Sequence, residues 1–438
     1  MGKTLTSLRA VIALIVGTHT WGLFAQSPAA KESVQVTAIA SASPLSITLS
    51  WPAFSGATGY TVYRKLKAAS TWTSLGTASS GATQYVDNTP ASGTAYEYLV
   101  VRATSSAGTG YGFIASGILV PETDYRGKMV LLVDNTFTTS LATQITELIN
   151  DLRADGWVVL RSDVSRSASV SSIRSTIQSY YNADPANVKA VFLLGHVPVP
   201  YSGQINPDGH GDHLGAWPAD GYYGDMDGTW TDNSVNATGG QDVRNHNTPG
   251  DGKFDQSDYP SAVELQVGRV DLSNMESFQY YLGQSEQTLL TNYLAKLHSF
   301  KTKQTTPTFR GAVFDNFEDL NIAGCGYRTV SANVGTANLA DLNSNGTPFG
   351  TSLNNQSYLW TYACGGGTWI SASNVASTDE LCTSVVWGGV FNMMLGSYFG
   401  DWDCQNNLMR GVLGRGAALA NCFAGIPNIW FHHMGMGD

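Results

Sequence analysis

Positive charge is scarce in this chain. Lys and Arg number 24 among 438 residues against 34 Asp and Glu, a net charge of −10, and charged residues make up 13% of the total, where soluble domains carry about 25%. A nucleic-acid partner is therefore disfavoured, because phosphate neutralisation needs clustered cations. Cysteine is sparse as well. The five, Cys325, Cys364, Cys382, Cys404 and Cys422, fall late in the chain with no CxxC spacing, which argues against a disulfide scaffold and a cysteine zinc site. Long apolar runs are missing after the first 25 residues. The best of them, Thr383–Gly400, carries several glycines, Asn392 and Ser397, so no membrane span is expected once the leader is removed. No GxSxG elbow, P-loop, HExxH or dinucleotide glycine fingerprint stands between a strand and a helix.

Glycine and aromatic residues are plentiful. Gly reaches 47, and the 11 Trp, 20 Tyr and 16 Phe together number the same, a usage that suits a loop-rich, β-containing extracellular protein. Residues 1–25 read as a secretory signal: Lys3 and Arg9 begin it, Ala10–Gly17 is apolar and Ala25 precedes a plausible cleavage point. Export to the medium or the cell surface is the expectation.

Residues 33–120 show short alternating runs parted by Ser, Gly, Pro and Asn clusters, an all-β pattern. Trp51 after Ile47-Thr-Leu-Ser, and Tyr96 opening Tyr-Glu-Tyr-Leu-Val-Val-Arg102, make this segment resemble a fibronectin type III domain. The period changes after a linker at Ile118–Arg126. Lys128–Val133, Trp157–Leu160 and Val188–Leu194 are continuous apolar runs, and Leu141–Leu152 and Val170–Tyr181 between them carry helical spacing. Strand, helix, strand, helix, strand predicts a mostly parallel sheet with covered faces, and Asp134, Ser162 and His196 fall at its carboxyl edge. Further strands are expected at 263–270, 311–314, 358–363 and 390–395, with one long helix around Met275–His298.

Residues 201–262 form an acidic insertion with almost no apolar periodicity, too long for an ordered loop unless something holds it together. Asp220, Asp225, Asp227, Asp251, Asp255 and Asp258 sit on a Gly-rich backbone, oxygen donors that suit calcium. The competing reading is a solvated acidic loop. Zinc at His210 and His213 lacks the remaining ligands of a defined motif.

With the sheet pattern and insertion together, residues 125–438 resemble the gingipain family of secreted, caspase-like cysteine peptidases. The residues that carry the resemblance are Val191-Phe-Leu-Leu-Gly195, Asp220-Gly-Tyr-Tyr-Gly224 with Asp227-Gly228, and Val267-Gly-Arg-Val270 entering a helix. The resemblance implies two later strands, one ending in a catalytic histidine and the next in a catalytic cysteine. Here the first ends Tyr362-Ala-Cys-Gly-Gly-Gly367 and the second Leu395-Gly-Ser-Tyr-Phe-Gly-Asp-Trp402, so Gly365 and Ser397 stand at the two positions. Glycine cannot generate a thiolate or protonate a leaving amine. The leading expectation is therefore a degenerate cysteine peptidase fold serving as a binding protein for peptide, protein or cell-surface glycan. The alternatives are a displaced dyad of Cys364 with His196, its oxyanion served by the glycines after Cys364, and Ser397 with a base that the sequence does not reveal.

Overall fold

The computed structural model describes residues 28–105, 108–120, 125–206, 208–240, 242–318, 320–343 and 346–423. The signal segment expected at 1–25 and part of the expected linker, 121–124, lie outside the described residues. No described helix is long and apolar enough to cross a membrane.

The chain begins with a short helix α1 (Pro28–Glu32) and then seven strands, β1 (Thr37–Ala42), β2 (Leu45–Ser50), β3 (Ala57–Leu66), β4 (Thr73–Ala78), β5 (Gln84–Asp87), β6 (Ala95–Thr104) and β7 (Gly110–Gly117). They form two antiparallel sheets, β1-β2-β5 and β4-β3-β6-β7, the arrangement that alternating runs with an apolar inner face require. Trp51, Tyr60, Tyr98, Ile47 and Leu49 are buried between them. The indole N–H of Trp51 donates to Ala82 O at 2.9 Å, so its burial leaves no donor unmet.

Two parallel sheets follow, where the sequence suggested one. The first orders its strands β13-β10-β8-β9 from β8 (Gly127–Asp134), β9 (Trp157–Val164), β10 (Val188–Leu194) and β13 (Gln266–Val270), with a small hairpin of β11 (Tyr201–Ile205) and β12 (Gly215–Pro218) beyond it. The second is β15-β14-β16-β20-β21, from β14 (Gly311–Asp315), β15 (Leu339–Asp341), β16 (Tyr358–Cys364), β20 (Gly389–Leu395) and β21 (Ala420–Phe423). Three two-residue strands, β17 to β19, lie within 367–377 between β16 and β20. Helices α2 (Ala142–Ala154) and α3 (Val170–Ala183) cover the first sheet as the periodicity predicts. Ser169 caps α3 by accepting the N–H of Ser172. The long helix expected at 275–298 is broken into α4 (Glu276–Leu282) and α5 (Glu286–Lys301). Gly283 ends α4 at φ +64°, and Ser285 caps α5.

Helix α6 (Leu320–Val334), which the sequence reading did not place, covers one face of the second sheet. Its other side receives the N-terminal module. Ala29 and Ala30 of α1 share a buried cluster with Ala323, Cys325, Tyr327 and Val330, and the Ser33 hydroxyl donates to Gly324 O at 3.1 Å. Small residues on both helices permit this close approach, so the sandwich is seated on the α/β domain and not merely tethered to it.

Candidate active site

Strand β16 alternates its side chains across the second sheet, and Tyr362 and Cys364 fall on the face that α6 covers. Cys364 is consequently sealed in the core at 0% exposure, its Sγ 3.5 Å from Asp315 Oδ1 and 3.8 Å from Phe314 O. Burial pushes its thiol well above the ordinary value, and the Asp315 carboxylate adds to the effect. His196 leaves the end of β10 in the other sheet. Its Nδ1 lies 2.8 Å from Asp271 Oδ2, and this bond, with burial opposing it, holds the imidazole above its usual pKa. The structure therefore gives Cys364 and His196 separate partners on separate sheets and does not join them. The reason is legible once the strands divide into two sheets, because two carboxyl edges exist where one was assumed.

Position 365 is closed. A Cβ there would stand 2.5 Å from Ser373 O, which is why glycine and not a catalytic histidine fits. The turn Gly365-Gly366-Gly367 was expected to serve Cys364. Instead it lies against the loop after β20: a Cβ on Gly367 would stand 2.6 Å from the backbone N of Ser397.

Ser397 begins that loop, half-buried at the carboxyl end of β20, and its Oγ lies 2.8 Å from Nε2 of His210. The imidazole absent from the two strands thus arrives from the insertion. His210 is exposed and stacks on the ring of Tyr398, with centroids 5.5 Å apart and 9° between planes. Tyr398 itself stands at φ +67°, a left-handed conformation that a bulky side chain adopts only when its surroundings impose it.

Beneath the pair lies a buried charged network. Asp208 Oδ2 faces His213 Nδ1 at 2.9 Å, and the other ring nitrogen of His213 lies 3.3 Å from Asp401 Oδ2. Asp401 also accepts from Arg244 Nη2 at 2.7 Å, Asn245 Nδ2 at 3.0 Å and Trp369 Nε1 at 3.1 Å. Burial alone would lower the pKa of His213, but the Asp208 and Asp401 carboxylates outweigh it and hold the imidazole above its ordinary value. Burial likewise works against both carboxylates, and His213, with Arg244 beside Asp401, keeps them below the usual range. With both nitrogens of His213 engaged by carboxylates and Nε2 of His210 on Ser397, the two histidines do not converge on a zinc ion.

The acidic residues divide by role. Asp225, Asp227 and Glu264 bring one oxygen each within 4.8 Å of one another. Buried Asp225 already accepts from Gly228 N, Ser261 Oγ and Trp230 Nε1, with Arg174 3.8 Å away. Asp220, expected as a ligand beside them, is held instead by Arg269 at 2.7 Å. Asp251 accepts the N–H groups of Thr248 and Lys253, and Asp255 those of Asn233, Ser234 and Val235. Asp258 is exposed. Asp251 and Asp255 thus supply the acceptors that regular structure would have supplied to this loop-rich segment.

Over this same insertion and the first sheet, the chain matches the sequence model of peptidase family C25 across residues 122–296. The match ends before Gly365 and Ser397. No curated protein matches the chain. Among solved structures, the chain is similar to the Arg-specific cysteine proteinase gingipain R at 11% identity and TM-score 0.41, covering 68% of this chain and 62% of that one. It is similar to a complex of Porphyromonas gingivalis RgpB pro- and mature domains at 8% identity and TM-score 0.42, over 67% of this chain and 62% of that one. An Fn3-like protein from Clostridium thermocellum is 29% identical with TM-score 0.15, over 17% of this chain and 76% of that one. Residues 122–296 thus resemble peptidase family C25, and the two-sheet antiparallel module precedes them.

Proposed function

We propose that this chain is an exported hydrolase on the C25 peptidase fold, degenerate as a cysteine peptidase, in which Ser397 is the nucleophile and His210 its general base. The carrying observation is the 2.8 Å contact between His210 Nε2 and Ser397 Oγ, at the position where the gingipain resemblance puts the catalytic thiol. A hydroxyl is a weak nucleophile until a base within about 2.6–3.2 Å takes its proton. In the proposed reaction His210 accepts that proton as Oγ attacks an amide carbonyl. The C–N bond then breaks as the imidazolium protonates the leaving amine, and water releases the acyl group by the same route. The N–H of Gly365 is already donated to Leu395 O at 3.1 Å, so the oxyanion donors are assigned to Gly366 and Gly367, of which Gly367 lies against the backbone of Ser397. The family supplies the substrate class, peptide. Calcium, the cation favoured by the insertion, is assigned a structural place at Asp225, Asp227 and Glu264, which offer three of the six to eight oxygens it takes.

The test is turnover of a panel of fluorogenic peptides, together with labelling by a fluorophosphonate probe. Both should be lost in Ser397→Ala and His210→Ala and retained in Cys364→Ala and His196→Ala. Loss in the latter two alone would restore the displaced cysteine dyad. A wild-type protein that neither turns over nor labels would be a binding protein for peptide or cell-surface glycan, the role suggested by the missing cysteine dyad.

A further inference from the structure

We infer that Asp208 is the positioning residue of this site, the group that seats His210 on Ser397; the inference rests on the serine-type reading of that pair. The Asp208 side chain is 1% exposed, and donors from two segments far apart in sequence converge on it. Its Oδ1 accepts the N–H of His210 at 3.2 Å, and its Oδ2 accepts the N–H of Tyr398 at 2.9 Å while facing His213. One carboxylate therefore binds the residue that supplies the base and the residue that directly follows the nucleophile.

Two further features give that carboxylate leverage. Tyr398 needs an external hold to remain at φ +67°, and the bond to Asp208 is on its own N–H. Asp208 is itself held by His213, which reaches across to Asp401 in the loop after β20, and Asp401 collects Arg244 from the far side of the insertion. Neither Asp208 nor His213 is in hydrogen-bond contact with Ser397 Oγ among the described residues. They act through His210 and Tyr398. A hydrogen bond to a charged, buried acceptor is among the stronger single contacts in a protein, so its removal should be visible at both donors.

The experiment compares Asp208→Ala and Asp208→Asn in the full chain by amide hydrogen exchange and by steady-state turnover. In Asp208→Ala, exchange at the Tyr398 and His210 amides should accelerate at least about tenfold while β16 and β20 stay protected. The kcat for peptide should fall with KM unchanged, as expected when a base is displaced but the substrate still binds. Asp208→Asn keeps an oxygen for Tyr398 and should recover part of both effects. If Asp208→Ala loses protection throughout, Asp208→Asn carries the comparison through its own Tyr398 and His210 amides. Unchanged exchange at Tyr398 and His210 overturns the inference, and so does a kcat unchanged in a protein whose Ser397→Ala variant is inactive. Should Ser397→Ala match wild type in turnover, the serine reading fails by itself and the exchange result alone decides whether Asp208 seats the loop.

Discussion

Ser397→Cys places a thiol 2.8 Å from where His210 Nε2 waits, in outline, and so turns the proposed pair into the Cys–His chemistry of the wider family. From the sequence alone this substitution should be silent, because no imidazole serves position 397. The structure reverses that expectation. A free thiol titrates near about 8.5, and an adjacent cation stabilises its thiolate. His210 is exposed, so a water-like dielectric applies, and at 3–4 Å the ion pair is worth about 1 kcal/mol. An imidazole carries that charge only in mildly acidic solution, and about 1.4 kcal/mol is tenfold, so there the thiolate fraction at position 397 should rise about fivefold, while toward alkaline pH the neutral ring leaves it unchanged. The assay is the rate of iodoacetamide alkylation against pH in a Cys422→Ser background, since the other four cysteines are buried. In mildly acidic solution the rate in Ser397→Cys should exceed that with His210→Ala added by about fivefold, and the two profiles should converge toward alkaline pH. Coincident profiles for the two proteins would refute the reasoning, because they would show that His210 exerts no field on position 397.

Other measurements probe the frame around the pair. Replacing His213 by Asn should destabilise the protein most in mildly acidic solution: the raised pKa of His213 makes its contribution fully present below about 6.5 and lost as pH rises through its folded value, while Asp208 and Asp401 act only above about 3.8. Melting curves from pH 4 to 9 check this, and a destabilisation that grows toward alkaline pH would contradict it. Millimolar calcium should raise the melting temperature and protect 201–262 from protease, and Asp227→Ala should remove much of that rise; identical curves with chelator would dispose of the cation. Cleavage at a protease site introduced within 121–126 should leave two fragments that co-elute, because α1 is packed on α6, and Ala30→Arg should separate them.

The sandwich was legible because its signal is local. Alternation of burial along β2 repeats the alternation of residue type, and Trp51 and Tyr98 enter the core. The first parallel sheet was legible for the same kind of reason, with the apolar runs of β8 and β10 bounded by helices of 3.6-residue spacing. Helix α6 was not. Its face toward Tyr362 is built from Gly326, where a Cβ would stand 2.4 Å from the tyrosine ring, and its face toward α1 includes Gly324 and Cys325. A helix that packs through glycines on both sides carries residues that read as breakers at the very positions it buries. The division into two sheets was hidden too, since each strand reports that it is buried but not which neighbour buries it.

The site shows the same limit in a sharper form. Sequence order places Gly365 and Ser397 correctly beside each other on adjacent strands, and that adjacency rests on pairing of Cys364 with Leu395. It cannot supply His210, 187 positions away, because the link between them is a contact across the fold and not a periodicity. A signal did exist in the cluster Asp208-Gly-His-Gly-Asp-His213, whose density of titratable groups suggested a metal. What decides between metal ligand and catalytic base is the occupant of each imidazole nitrogen. Here buried carboxylates take both nitrogens of His213 and fix the loop, which leaves the exposed His210 aimed at the Ser397 hydroxyl. Much of the insertion is ordered by an aromatic cluster of Tyr222, Trp230 and Phe254 against the first sheet, whereas 208–213 is held by buried polar bonds, and those are the ones that carry an imidazole to Ser397. Order in 208–213 and reactivity at Ser397 then have a common cause, and a substitution that loosens the first should weaken the second.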